Sequence, residues 1–363
     1  MLLADFRGDN RIKGMRYSVF SIKKWVLAAV FALTACTCVI DEGEEEALPL
    51  RVEFLDVGQG LAVLLEYGGR FALYDTGPDS VGVVDSLIAR GVDTLEWVVV
   101  SHNHRDHAGG FMEFAAGRGG FSGEAGAGFA RVGTVPRIVD SSQVGSAARV
   151  HVRRLFVGPD TAGGFVRDSV LRVARRLGVP VDTLVRGDAL GFAADCGQSS
   201  GAGKGSPECV AGAGQFSGVG QSSGVGDALR FDVLWPPDYV REGGNPASVV
   251  LRVEFGASAA LLTGDLDSAG ERRLLELSPT LSAGLLQVPH HGSAGSSSLR
   301  FVSQVAPDYA VASVGAGNSY GHPAMSVVRK YAYVLGDTAR FFRTDRDGSV
   351  TFELWPDLGV VRP

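Results

Sequence analysis

Several things are scarce in this 363-residue chain. Its four cysteines do not have the paired spacing of a small zinc module, which excludes a cysteine-built metal scaffold. Positive charge is not in excess. Lys and Arg number 34 against 40 Asp and Glu, a formal net charge of −6, which excludes a chain-wide basic field for wrapping nucleic acid. The N-terminal apolar run, Trp25–Ala35, has eleven residues, too few to cross about 30 Å of hydrocarbon. There is no solenoid-type repeat. Histidine is rare as well, with seven. Glycine, in contrast, is plentiful at 50 and gathers in two stretches, marking loops and insertions. The 45% hydrophobic share is ample for a large core.

The first fifty residues read as an address. Lys23 and Lys24 precede the apolar run, and small residues close it, the pattern of a secretory signal. Leu33-Thr34-Ala35-Cys36 resembles the bacterial lipoprotein lipobox, which implies that Cys36 is acylated and becomes the mature N-terminus. We therefore expect a signal peptide over 1–35, with Met15 as the true start because Met1–Gly14 is polar and long for a leader. An acidic tether follows over 36–50, carrying Asp41–Glu46, and a folded domain over 51–363. The bland alternative is an uncleaved membrane anchor. Cys38 has no assigned role. Cys196 and Cys209 flank a Gly/Ser-rich segment, where they either pair or remain free thiols.

From Arg51 onward strands and helices alternate. Arg51–Asp56, Leu61–Tyr67 and Arg70–Tyr74 read as three antiparallel strands, Val81–Arg90 as a helix, and Trp97–Ser101 as a buried strand. Phe165–Leu177 carries Val166, Val170, Val173 and Leu177 at helical spacing. Leu229–Trp235, Ser248–Phe255, Ala259–Thr263, Leu285–Val288 and Pro307–Val314 read as strands and Asp267–Leu277 as a helix. Gly-rich insertions lie at about 116–128 and 195–226. This pattern predicts an α+β fold, two sheets face to face with helices outside, an αββα four-layer sandwich.

Six of the seven histidines sit in three short motifs. The first, Ser101-His102-Asn103-His104-Arg105-Asp106-His107, follows a buried strand. Residues two apart in an extended loop point the same way, so His102 and His104 can grip one cation, and Asp106 and His107 a second. Without metal, such a cluster would be repulsive. The second motif is Leu261-Leu262-Thr263-Gly264-Asp265, whose Asp265 reads equally well as a ligand or as the N-cap of the following helix. Val288-Pro289-His290-His291-Gly292-Ser293 and Asn318-Ser319-Tyr320-Gly321-His322-Pro323 complete the series. His151 has no partner pattern and reads as a surface residue. Asp75 reads as an acceptor for a ligand histidine or as an Asx turn. The arginines 149, 153, 154, 167, 172, 175 and 176 form a local basic stretch, either a phosphate track or a solvated helix face.

The ordered series SHNHRDHAGG, LLTGD, VPHHGS and NSYGHP resembles the metallo-β-lactamase superfamily, and within it the hydrolase domain of the DNA-uptake protein ComEC in stand-alone form. Phe54–Gly60, Tyr74–Gly77, Leu234–Pro237, Asn245–Gly256 and Phe341–Val350 support it, so the match runs from about Arg51 to Leu354. The chain departs from the pattern at Leu61, where the family has an acidic residue. No histidine lies between His151 and Asp265, so one ligand of true β-lactamases is missing, and the resemblance implies that the HHGS pair replaces it. The implied ligand set is His102, His104 and His291 on one ion, Asp106, His107 and His322 on the other, and Asp265 shared. Adjacent side chains diverge, so only one of His290 and His291 serves, and the resemblance favours His291. Two divalent ions, Zn2+ or Mn2+ from the donor chemistry, would supply hydroxide near neutral pH. Asp106, His290 and His322 are the expected catalytic residues. Asn245, Ser293, Asn318 and Tyr320 are candidates for substrate or supporting contacts; capping and turn bonding are the alternative for Ser293 and Asn318. The expected function is an exported, lipid-anchored phosphodiesterase or nuclease of the cell envelope, acting on DNA or another phosphoester. The alternatives are a hydrolase of a phosphorylcholine ester, lactone or lactam, and a non-catalytic envelope binding protein on the same fold.

Overall fold

Alternation along the strands decides which way each side chain faces, and three apolar layers follow from it. In the computed structural model, residues 48–79, 81–116, 149–160, 163–192, 229–237, 243–278 and 280–363 are described, and all fall within one unit, Ala47–Pro363. The signal, the tether up to residue 47, Cys36 and both cysteines of the 195–226 insertion lie outside the described residues, as do nearly all of the two Gly-rich insertions, and the last tether position expected, Leu50, already opens the first strand.

The first half supplies β1 (Leu50–Phe54), β2 (Val63–Tyr67), β3 (Arg70–Tyr74), β4 (Thr94–Leu95), β5 (Trp97–Val100), β6 (His151–Val152), β7 (Leu155–Val157) and β8 (Val181–Thr183). The second half supplies β9 (Ala189–Leu190), β10 (Leu229–Trp235), β11 (Val250–Phe255), β12 (Ser258–Leu262), β13 (Leu285–Gln287), β14 (Tyr309–Ala312) and β15 (Phe341–Arg343). The last strands, β16 (Val350–Trp355) and β17 (Gly359–Val361), return to the first sheet, whose order is β17-β16-β1-β2-β3-β5-β7-β8. The second sheet runs β15-β14-β13-β12-β11-β10-β9, while β4 and β6 form a separate short ladder.

Between the sheets Val52, Phe54, Tyr74, Trp97 and Val99 pack against Phe231, Leu251, Phe255, Leu262 and Val311. The alternate residues face outward. Leu73, Val98, Val100 and Leu155 meet the helices Val83–Ala89 and Phe165–Leu177, and Leu261, Leu286, Ala310 and Ala312 meet the helices Ser268–Leu277, Leu299–Val305 and Met325–Leu335. The order of layers is therefore helices, sheet, sheet, helices, as the alternation predicted. Each fully buried large side chain in these layers contributes about 1.5–3 kcal/mol over exposure.

The helix Phe165–Leu177 and the strands Arg70–Tyr74 and Leu229–Trp235 have the predicted bounds, and the other element boundaries move by one to a few residues. The helices Leu299–Val305 and Met325–Leu335 were not anticipated from their short or mixed apolar patterns. Asp265 is not the cap of the helix after it. Asp267 is, its carboxylate accepting from the Ala269 and Gly270 amides. This leaves the Asp265 side chain free for the site. The pairs β3–β5, β5–β7, β12–β13 and β13–β14 are parallel, so the carboxyl ends of both sheets' central strands lie at one edge of the sandwich. Every histidine motif leaves from such an end.

Candidate metal centre

Residues 75, 101–107, 265, 290–291 and 322 arrive on five separate loops, and the backbone is specialised where they meet. Gly264 has φ +52, and a Cβ there would lie 2.9 Å from Ser101 Oγ and 3.2 Å from Tyr74 Oη. Only glycine lets the Asp265 loop pass this close to the 101–107 loop. Asp75, His290 and His291 take positive φ of 59, 49 and 54, a region costly for such residues and concentrated at functional sites. Two consecutive left-handed residues turn the His290 and His291 rings apart. Gln287, buried at the end of β13, ties the Asp265 loop to the His290 loop: its Oε1 accepts from the Thr263 amide at 2.7 Å, and its Nε2 donates to Gly264 O and Val288 O.

The Asp265 carboxylate is the centre of the cluster. It is 2% exposed and has His107 Nε2 at 3.0 Å, His291 Nε2 at 3.4 Å, His290 Nε2 at 3.6 Å and His102 Nε2 at 3.8 Å. Asp106 Oδ2 lies 3.4 Å from His291 Nε2 and 4.0 Å from His107 Nε2. Two sets of donor atoms each lie within 4.8 Å of one another: Asp106, His107, Asp265 and His291 in one, His102, His104 and Asp265 in the other. Asp265 belongs to both. The partition differs from the expected one, because His291 joins Asp106 and His107, and His322 joins neither set. The ring of His322 sits 6.4 Å from His291 and 5.9 Å from His290.

Burial lowers His102 well below the usual histidine range, with His107 adding to the effect. Burial pushes His107 the same way, but the carboxylates of Asp265 and Asp75 prevail and hold it well above that range. Asp265 is pushed up by burial and pulled well below the carboxylate range by His107, His291 and His102. A proton trapped between carboxylates thus stands where a cation would carry the charge. His102 Nε2 and His322 Nδ1 are buried with no hydrogen-bond partner, and Asp265 Oδ1 meets only the imidazoles of His107 and His291. Buried polar atoms are seldom left so. Imidazole nitrogens and carboxylate oxygens gathered in one cluster fit a borderline divalent cation, and this His/Asp cluster makes the protein metal-binding.

Supporting contacts fix the rings. Asp75 is fully buried, and its Oδ2 lies 2.7 Å from His107 Nδ1. It also accepts from the Ser101 amide at 2.6 Å and from Ser101 Oγ at 2.7 Å. His291 Nδ1 donates to Ser313 O at 2.7 Å, which leaves its Nε2 lone pair facing the cluster. Asn245 Nδ2 is 3.3 Å from the His290 ring, and Asn245 Oδ1 is buried without a partner. Ser293 Oγ accepts from the Gly295 amide. Asn318 donates to Gly315 O and His322 O and accepts from the His322 amide, so Ser293 and Asn318 hold turns. Tyr320 is 70% exposed and lies near-parallel to the His322 ring at 5.6 Å.

His151 is exposed on β6, distant in the fold from the other histidines. In the arginine stretch, Arg153 pairs with Glu96 and Arg154 with Asp182. Ser101, Gln287 and Asp160 were missed from the sequence. Asp160 Oδ2 accepts from Asn103 at 2.9 Å and from the Gly244 amide at 3.3 Å, bracing the segment beside His104. A lone Gln at the end of the apolar strand Leu285–Gln287 was the one available signal.

Comparison with known proteins places the chain beside metallo-β-lactamase relatives. The model of the metallo-beta-lactamase superfamily matches residues 55–119, which contain Asp75 and the whole 101–107 loop. Competence protein ComA of Neisseria gonorrhoeae is 29% identical over 85% of this chain and 33% of its own length. ComE operon protein 3 of Bacillus subtilis is 25% identical over 91% of this chain and 35% of its own. The chain thus spans about a third of the length of these relatives. Among solved structures, the metallo-beta-lactamase fold protein YhfI from Bacillus subtilis aligns over 84% of this chain and 99% of its own, at 12% identity and a TM-score of 0.43.

Proposed function

The chain has the metallo-β-lactamase fold with a ComEC-like sequence and a metal-binding cluster, and from that premise we propose that it is a metal-dependent phosphodiesterase. Its substrate is DNA or another extracellular phosphoester, and its place is the cell envelope, where Leu33-Thr34-Ala35-Cys36 marks it for export and a lipid on Cys36 anchors it. The observation that carries the catalytic reading is Asp265: one buried carboxylate reached by four imidazoles and common to two donor sets. A pair of divalent ions, Zn2+ or Mn2+, bound there supplies Lewis acidity and lowers the pKa of coordinated water.

The protein's own side chains divide the remaining work. Asp106, His107 and His291 form one half, and buried His102 with exposed His104 forms the other. Asp75 keeps the proton of His107 on Nδ1, so that Nε2 presents a lone pair to the cluster. His290, its side chain 26% exposed and 3.6 Å from Asp265, stands at the edge, where it donates to a phosphate oxygen or hands a proton to the leaving oxygen. Asn245 braces that ring. His322, with its unpartnered buried Nδ1, faces the same substrate space from the opposite loop.

The test is metal analysis of the mature domain, followed by assays on bis-p-nitrophenyl phosphate, single-stranded DNA and nitrocefin side by side. Turnover of the two phosphodiesters without nitrocefin is expected. Nitrocefin hydrolysis alone, or no phosphodiester turnover by a fully loaded sample, overturns the reading. For the anchor, Cys36→Ser should release the protein from membranes and abolish lipid labelling, and continued labelling removes that part.

A further inference from the structure

Beyond His322 the chain enters the helix Met325–Leu335, whose inner side buries Val327, Tyr331 and Leu335. Its outer side exposes Met325 (63%), Arg329 and Tyr333 (77%). Positions four apart align in one row, at about 6 Å per step along the axis. The row begins three residues past His322, next to the loop that carries Tyr320. From there the rings lead inward: Tyr320 is near-parallel to His322 at 23°, and His322 to His291 at 17°. Arg329 makes no hydrogen bond or ion pair among the described residues, so no carboxylate neutralises it. Exposed apolar side chains scattered singly need no explanation. A row of them around an unpaired cation, on the helix that directly follows the His322 loop, is a different matter.

We propose that this row carries a single-stranded polynucleotide into the site, with bases stacking on Tyr320 and Tyr333 and a backbone phosphate resting on Arg329. The inference rests on the phosphodiester reading above and names the substrate's form and path. Every base has a π face, so aromatic platforms interleaved with a positive group accept a single strand of any sequence. A duplex keeps its bases stacked on each other and cannot use the rings. The charge is complementary: the chain's net −6 gives no general attraction, so local guanidinium groups must supply it. Within the arginine stretch of 149–176, Arg153 and Arg154 are committed to Glu96 and Asp182, and no exposed tyrosine lies among its arginines.

The experiment uses the full chain and a fluorescein-labelled phosphorothioate (dT)12, which resists cleavage, with binding read by anisotropy. Tyr333→Ala should weaken binding about 5- to 150-fold, the range of one lost base stack, while Tyr333→Phe keeps wild-type affinity. Arg329→Ala should weaken binding and flatten the log–log salt slope by about one. Wild-type affinity in both alanine variants overturns the row, as does equal weakening toward a blunt duplex of the same length. The two readings fail separately. If bis-p-nitrophenyl phosphate and DNA are cleaved but the row variants bind normally, the row falls and the phosphodiesterase stands. If the variants lose oligonucleotide affinity but no phosphodiester is ever cleaved, the row stands and the activity falls.

Discussion

Asp75→Asn changes one atom of a fully buried side chain, and its consequence can be followed through three hydrogen bonds. In the wild type, Asp75 Oδ1 accepts from the Ser101 amide at 2.6 Å, and Oδ2 accepts from Ser101 Oγ at 2.7 Å and His107 Nδ1 at 2.7 Å. The asparagine oxygen must stay on the Ser101 amide, which has no alternative acceptor within this loop. Its NH2 group then replaces Oδ2 and faces His107 Nδ1 as a donor. To avoid two opposed N–H groups, His107 must move its proton to Nε2, the atom 3.0 Å from Asp265 Oδ1. That nitrogen then has no lone pair for a cation. Loss of such an orienting carboxylate costs about 10–100-fold in metal affinity, or about 1.4–2.8 kcal/mol. Shape is preserved, so the fold should survive with little change in Tm. The assay is a Zn2+ or Mn2+ titration against a chromophoric chelator, with hydrolysis of bis-p-nitrophenyl phosphate followed at each cation concentration. Activity should return toward wild type as the cation is raised. Unchanged affinity would refute the tautomer argument, and a collapse of the fold would assign Asp75 to stability instead.

Three further outcomes follow from the same cluster. Asp265→Ala removes the carboxylate common to both donor sets and should abolish hydrolysis while leaving a folded domain by circular dichroism; normal turnover would end its shared role. Cation loading should expel a proton, because His107 is held well above the usual histidine range by Asp265 and Asp75 once burial is overcome. Apparent cation affinity therefore rises with pH and falls as the solution is acidified; calorimetry in two buffers of different ionisation enthalpy measures the release, and identical heats contradict it. Gly264→Ala forces a Cβ into a position with φ +52 and 2.9 Å from Ser101 Oγ. It should cost about 1–3 kcal/mol and weaken cation binding, and an unshifted thermal transition would contradict the crowding.

The layers were readable because strand faces follow a period of two. In Trp97–Val100 all four residues are buried, yet the run still marked a central strand, since only a strand covered on both faces is apolar throughout. The loop 102–107 was readable because its donors are local. What the sequence withheld is how loops from different strands converge. Spacing gives directions within one loop, whereas the place of His291 beside Asp106 and His107 depends on two successive left-handed residues, 290 and 291. Histidine visits that region more often than most residues do, but no local pattern calls for two of them in succession. Gln287, Ser101 and Asp160 were hidden for the same reason, because their value lies in what other loops bring to them. Asp267, not Asp265, caps the helix because capping geometry requires the residue flanking the first turn, and Asp265, which its position left open as cap or ligand, stands two residues too early.

The two donor sets are unequal, and that inequality has a measurable consequence. Asp106, His107, Asp265 and His291 offer four donors, three of them from buried residues; His102, His104 and Asp265 offer three, and His104 is exposed. Orientation is unequal too. His107 and His291 are each held through Nδ1, by Asp75 and by Ser313 O. His102 Nδ1 meets only Ser101 Oγ at 3.1 Å. A preorganised, water-excluded set loses less on ordering and binds more tightly. Loading should therefore proceed in two steps, the Asp106 set first. The shared Asp265 makes the second step weaker still, since its charge is already committed to the first cation. His104→Ala should erase the weak step and leave the strong one nearly intact. A single transition of stoichiometry two, lost as a whole in His104→Ala, would mean that the halves fill together and that the asymmetry of burial has no energetic weight.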